Sequence, residues 1–233
     1  TAGQIINAKK KAKKLTTAVA SKTADQGKTA LRFLATFFIG ELQVVVPDPN
    51  RELETKSLRV QYLLNGLDGQ NKEFDVFISY TQRNLEAVAL AEKLYGTLAY
   101  KLKLKVWFDV YMPDKSEKAM QYGIENSVLV IAIITGDCIN PNRPQDTPSD
   151  NAYFNRDYCV KELQWAKKAN VFIQPVVRAQ DKNQIGNLLT QAPDDLKSLG
   201  STDFIDLNRS DPSYWKIGTN QIERIYYENR SRI

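Results

Sequence analysis

A chain of 233 residues with 42% apolar and 25% charged side chains has the composition of an ordinary globular protein, long enough for one good core plus an extension or for two small domains. It contains no histidine and only two cysteines, Cys138 and Cys159, which excludes Ser-His and Cys-His nucleophilic pairs, histidine metal ligands, a thiolate zinc site and a disulfide framework. The net charge of +5 lies entirely in residues 1–70, which hold 11 basic and 6 acidic side chains against 21 of each in residues 71–233, so no nucleic-acid binding is expected of the globular part.

The chain does not begin with Met, which points to a fragment or a processed chain, and two cysteines point to a reducing, cytoplasmic compartment. The first 22 residues carry six lysines and no acid. Ile5, Ala8, Ala12, Leu15 and Val19 fall at heptad-like spacing, which suggests either a basic amphipathic helix or a solvated arm. No signal-peptide core and no run long enough to span a membrane are present. The pattern then predicts a helix over Lys28–Phe38, an extended stretch over Leu42–Val46, a turn at Pro47–Asn50 and a short strand at Leu58–Leu64. Gly27-Lys28-Thr29 looks like the end of a phosphate loop, but Lys22 stands where its first glycine is required. Asn65-Gly66 and Asp68-Gly69 break the chain, so the boundary is set between a mainly helical, basic N-terminal extension (1–70) and a globular domain (71–233).

Beyond residue 70 strands and helices alternate. Strands are predicted at Asp75–Tyr80, Lys105–Phe108, Val128–Thr135, Val171–Val177 and Thr202–Ile205. Helices are predicted at Leu85–Leu102, Lys115–Asn126, Arg156–Ala169, Gln184–Leu199 and Pro212–Arg230. The run Val128–Ile134 is apolar throughout, as a central strand covered on both faces must be. Such alternation argues for a parallel sheet with right-handed crossovers, an α/β flavodoxin-like fold of five strands with helices on both faces.

In such sheets ligands bind outside the carboxyl ends of the strands. That rule gathers Ser79, Tyr80 and Arg83 after the first strand, Asp109 and Tyr111 after the second and Thr135 after the third. Asp75 and Ser127 fall at the other end and read as structural. The connection 136–155, with Pro141, Pro144 and Pro148, is long enough to be a lid or a mobile segment. Glu162 borders the buried stripe of its helix, with Tyr158 and Ala166 one turn away on either side. Burial there would strengthen its field and raise its pKa, but helix position by itself favours a solvated glutamate. No Gly-x-Gly-x-x-Gly occurs, so no dinucleotide is held in the Rossmann manner.

Phe74-Asp75-Val76-Phe77-Ile78-Ser79-Tyr80 resembles the opening strand of Toll/interleukin-1 receptor (TIR) domains, and Val106-Trp107-Phe108-Asp109 resembles their second strand. Val110–Ser116 is similar to their BB loop, with Ser116 at the usual glycine position and Pro113 stiffening the segment. Tyr158-Cys159-Val160-Lys161-Glu162-Leu163 is similar to their Trp-Cys-x-x-Glu-Leu box, with Tyr158 in place of tryptophan, and Phe172–Val176 resembles the fourth strand. The likeness covers roughly residues 72–230 and leaves the N-terminal third untouched.

The resemblance implies a TIR fold. From enzymatic members it implies cleavage of the nicotinamide–ribose bond of NAD+, with Glu162 catalytic and Ser79, Tyr80, Arg83, Asp109, Ser116 and Tyr158 as substrate-binding candidates. NAD+ is then substrate rather than cofactor, and no metal is implied. Such chemistry needs no histidine, because nicotinamide leaves NAD+ as an already cationic group while positive charge builds on the ribose. A carboxylate ~4 Å from that charge at an effective dielectric near ~20 contributes ~4 kcal/mol, on the order of a thousandfold in rate. The resemblance also implies TIR–TIR self-association in immune or cell-death-type signalling, with an upstream sensor domain or partner reached through the N-terminal arm. The alternatives are a non-catalytic signalling adaptor working through TIR–TIR contacts, and a nucleotide-processing domain of bacterial type.

Overall fold

In the computed structural model, which describes residues 72–233, the chain runs β1 (Phe74–Tyr80), α1 (Leu85–Tyr95), β2 (Val106–Trp107), α2 (Glu117–Glu125), β3 (Ser127–Ile133), α3 (Asp157–Lys168), β4 (Phe172–Arg178), α4 (Ile185–Thr190), β5 (Ile205–Leu207) and α5 (Pro212–Arg230). The expectations placed on residues 1–70, including the basic helix, the two possible strands and the phosphate-loop fragment, lie outside the described residues. The strands form one sheet in the order β2-β1-β3-β4-β5, and every pairing is parallel. The order turns back at β1, so the chain leaves β1 toward one edge and later strands build toward the other, and in such sheets the carboxyl ends of β1 and β3 are where a ligand is expected.

Strand alternation distributes β1 between two layers. Phe77 and Ser79 face α2 and α3. The Phe77 ring stacks on Trp107 with centroids 4.4 Å apart, and Gly123 of α2 lets the helix approach that indole. Ala132 and Ile134 join the same apolar cluster with Tyr153, Leu163 and Ala166. On the opposite face Tyr80 packs against Phe108, which stacks on Tyr95 of α1. There the turn following α1 meets α5 where Trp215 Nε1 donates to Thr97 Oγ1 at 3.1 Å.

Local chemistry fixes the helix ends. Asn84 Oδ1 accepts from the amides of Glu86 and Ala87, Ser116 Oγ from Ala119, and Asp211 Oδ1 from Ser213 and Tyr214 with Pro212 following. At the end of α3, Asn170 takes a φ of 54°, and the amides of Asn170 and Val171 return to the carbonyls of Lys167 and Ala166. That reversal stops the helix and delivers the chain into β4. Asp75 accepts from the Lys105 amide and from Tyr226, and Ser127 donates to the Gly123 carbonyl, so both are structural groups as expected.

Three expected elements differ. The helix over Leu85–Leu102 is α only to Tyr95 and continues as a π-helical turn over Gly96–Lys101. The helix over Gln184–Leu199 is three pieces, with 3-10 turns at Ala179–Gln184 and Asp194–Ser201 around a six-residue α4. Pro193 cannot donate and disfavours helical geometry at Ala192, which overrides the apolar spacing there. The last strand lies at Ile205–Leu207 rather than Thr202–Ile205, because Asp206 points outward from the edge strand to Tyr214 and Lys182 between buried Ile205 and Leu207. Among the described residues no helix is long and apolar enough to cross a membrane.

Candidate functional site

The site grows from the last two residues of β1. Ser79 faces α3, and its Oγ lies 2.5 Å from Glu162 Oε2 and 2.5 Å from Tyr153 Oη. Glu162 comes from the second turn of α3. Tyr153 comes from a 3-10 turn (Tyr153–Asn155) whose amide is fixed on the Thr135 carbonyl at 3.0 Å, just past β3. Ser79 is 1% exposed, Tyr153 0% and Glu162 8%. The solvated-glutamate reading is therefore wrong for Glu162. The rotation of α3 that buries Cys159, Leu163 and Ala166 carries the carboxylate inward with them.

Burial pushes the Glu162 carboxyl up to about 8. The Ser79 hydrogen bond pulls the other way, the Asp109 charge adds to the rise and Arg156 opposes it. The same burial raises the Tyr153 phenol and the Cys159 thiol well above their ordinary values, so both stay protonated and neutral. Cys159 is thus no thiolate nucleophile.

Tyr80, the next residue of β1, points to the other layer. Its hydroxyl donates to Asp109 Oδ1 at 2.8 Å, and Gln82 Nε2 donates to Asp109 Oδ2. Burial, then the Asp109 charge, raises the Tyr80 phenol strongly, and the Glu162 charge contributes. The Asp109 charge is therefore felt at Glu162 across the end of β1. Two carboxyl groups, three hydroxyls and one thiol gather where the strand-end rule places a ligand.

The remaining expected site residues are not drawn into this group. Arg83 turns to the 136–155 connection, with its Nε 3.8 Å from Asp146 Oδ2 and its carbonyl accepting from Asn140 at 2.6 Å. Ser116 is the N-cap of α2. Tyr158 is 43% exposed at the start of α3 with Lys161 Nζ 5.3 Å from its ring. Tyr111 is also exposed and packs on Tyr95 and Phe108. The 136–155 connection is folded back by two 3-10 turns and tied down. Asn84 Nδ2 donates to the Gly136 carbonyl, and Asn151 Nδ2 to that of Cys138. Tyr153 was missed by the sequence reading. The signal that could have found it is the apolar triplet Ala152-Tyr153-Phe154 inside an otherwise polar, proline-rich loop.

A cavity of about 450 Å³ opens at the opposite end of the sheet, between Val128, Phe172, Leu199, Lys167 and Arg232. No acidic side chain lines it. It holds none of the titratable groups gathered at the carboxyl ends, and those groups mark the candidate site.

The family model described as TIR domain matches residues 76–218. Among curated proteins no match was found. Among solved structures, the chain is similar to the TIR domain of the Toll-related receptor TRR-2 from Hydra magnipapillata, at 17% identity over 66% of this chain and 98% of that one, with a TM-score of 0.42. The family match spans more than half of the chain and includes the strand ends and the helix that carry Ser79, Tyr80, Asp109 and Glu162, and the chain belongs to the TIR-domain family of signalling domains.

Proposed function

We propose that this chain is a TIR-domain NAD+ glycohydrolase that breaks the nicotinamide–ribose bond and acts in cytoplasmic signalling when copies self-associate. The observation that supports it is the placement of Glu162, a buried carboxyl at the carboxyl edge of a parallel sheet, held by Ser79 and flanked by Asp109. In the reaction the C–N bond breaks and its electron pair goes to the nicotinamide nitrogen, which leaves neutral. The ribose centre gains positive charge and is captured by water with release of a proton, giving ADP-ribose.

Glu162 is the stabiliser of that charge. Its field acts in surroundings from which water is largely excluded, where a carboxylate is worth more than at the surface. A cation arriving beside Glu162 favours the ionised carboxylate, so the pyridinium ribose promotes the form that stabilises its own cleavage. Ser79, Tyr80 and Asp109 are the substrate contacts nearest to it, and Arg83, Ser116 and Tyr158 are the more exposed ones. At 8% exposure the carboxyl needs its cover to shift before NAD+ reaches it. Self-association through the Val110–Ser116 loop is the event that supplies such a shift.

Concentrated protein, or protein clustered on a surface, should release nicotinamide from NAD+, read by chromatography, and Glu162→Ala should abolish the release. Absence of turnover at every density would remove this reading. One observation favours the non-catalytic adaptor instead, namely that Glu162 already has its partner in Ser79 and little access to solvent. Under that reading changes at Pro113 or Ser116 would disrupt signalling while Glu162→Ala would not.

A further inference from the structure

The three groups Tyr153, Ser79 and Glu162 form a directed chain. Glu162, when ionised, only accepts, and Ser79 has a single hydrogen to give. If that hydrogen goes to Glu162 Oε2, then Tyr153 must be the donor in its contact with Ser79 Oγ. Tyr153 is suited to this. Its ring is fully buried, it packs edge-on against Phe154 with centroids 5.2 Å apart, and its backbone amide is fixed to Thr135. Its phenol keeps its proton throughout the ordinary pH range because burial opposes ionisation. A permanent donor on one side of Ser79 leaves that hydroxyl only one useful orientation, toward the carboxylate.

We propose that Tyr153 is a positioning residue for Glu162: by donating to Ser79 it aims the serine hydrogen at Oε2 and so fixes the rotamer of the carboxyl and favours its ionised form from inside the core. The proposal rests on Glu162 being the working acid, but its physical content does not require turnover. Hydrogen bonds in series polarise one another, so the phenol makes Ser79 a stronger donor and favours ionised Glu162. The other groups facing Glu162 are Tyr80 from β1, Asp109 from the turn after β2, and Arg156 and Cys159 from the start of α3. β3 offers no titratable side chain. On α2, Glu117 is engaged with exposed Lys161, and on β4, Arg178 is held by Asp181 and Glu86. Of the hydroxyls at the site, Ser79 is the one that touches Glu162, and Tyr153 is the one that touches Ser79.

The test titrates Glu162 in the full chain without NAD+, following its carboxyl infrared band as the difference from Glu162→Gln. Tyr153→Phe should raise the Glu162 midpoint by about half a pH unit or more, and Ser79→Ala by at least as much. Adding Tyr153→Phe to Ser79→Ala should move it no further, because the phenol acts through the serine. A fluorinated tyrosine at 153, a stronger donor of nearly the same volume, should lower the midpoint. This arm needs no deletion and keeps the test open if Tyr153→Phe fails to fold. An unmoved midpoint in both Tyr153 variants, or shifts that add in the double mutant, would overturn the proposal. Where nicotinamide release is observed, the pH dependence of kcat/KM should follow the same displacements. If no release occurs at any density yet the midpoints move as stated, the positioning role stands and the glycohydrolase reading falls.

Discussion

Ser79 Oγ and Glu162 Oε2 lie 2.5 Å apart across 83 positions of sequence, one at the carboxyl end of β1 and the other in the second turn of α3. The contact joins the two most characteristic strings of the chain, and it determines how Glu162 behaves. The carboxyl is removed from water, receives one hydrogen bond in return and is left with a pKa of about 8. Burial raises that value more than the hydrogen bond lowers it.

That balance gives a stability prediction with a definite sign. The folded carboxyl titrates near 8 and the unfolded one near 4.5, so between these values the folded state binds more protons. Stability contributed by neutral Glu162 is complete below about pH 4.5 and declines as pH rises toward 8. The full shift corresponds to an upper bound of about 5 kcal/mol. Glu162→Gln keeps the shape without the titration. Urea unfolding at pH 5 and pH 8 should show wild type losing stability relative to Glu162→Gln by a few tenths to about 3 kcal/mol.

The same titration sets the rate profile. Under the proposed glycohydrolase reading the ionised carboxylate is the active form, and about a tenth of the free protein carries it at pH 7 if the midpoint is about 8. The value of kcat/KM should therefore rise about tenfold per pH unit up to pH 7 and level off above pH 8, measured as nicotinamide release. A flat profile over pH 6–9 would show that Glu162 is not the group being titrated.

Asp109 offers a shift of opposite sign to that of Tyr153. Its charge raises the Glu162 pKa, so Asp109→Asn should lower the Glu162 midpoint, read spectroscopically rather than from the size of the rate. The asparagine carbonyl can still accept from Tyr80, which limits collateral change.

Gly123 tests the packing beneath the site. A Cβ there would meet Trp107 Cδ1 and Nε1 at 2.6 Å, in the indole that stacks on Phe77 two residues before Ser79. Gly123→Ala should destabilise the domain by about 1–3 kcal/mol in denaturant unfolding, because the indole is hemmed in and cannot retreat.

Asn84 does two tasks that can be separated. Its carbonyl oxygen caps α1, and its amide nitrogen holds the Gly136 carbonyl at the start of the long connection. Asn84→Asp keeps the cap and loses the tie, whereas Asn84→Ala loses both. Thermal melting should place Asn84→Ala lower by about 1 kcal/mol, the usual worth of a cap. Hydrogen exchange over 136–155 should quicken in both variants.

The sequence by itself determined the layered architecture. The unbroken apolar run of β3, the regular alternation of strand and helix patterns and the proline and glycine breaks left one economical solution, a five-stranded parallel sheet, and the strand-end rule brought Ser79, Tyr80 and Asp109 to one edge. Those features are local, since period and punctuation follow from backbone geometry within a few residues. The depth of Glu162 was not local. A helix stripe says which residues border the core, but the rotation of α3 against β1, β3 and β4 decides whether a bordering carboxylate reaches water or a serine. Tyr153 was invisible for the same reason. Its role depends on the Thr135 carbonyl catching its amide and on Ser79 waiting 74 positions upstream. Such long-range coincidences are fixed by the packing of the whole domain, which is why only the tertiary structure could assemble the acid, its donor and the donor's own partner.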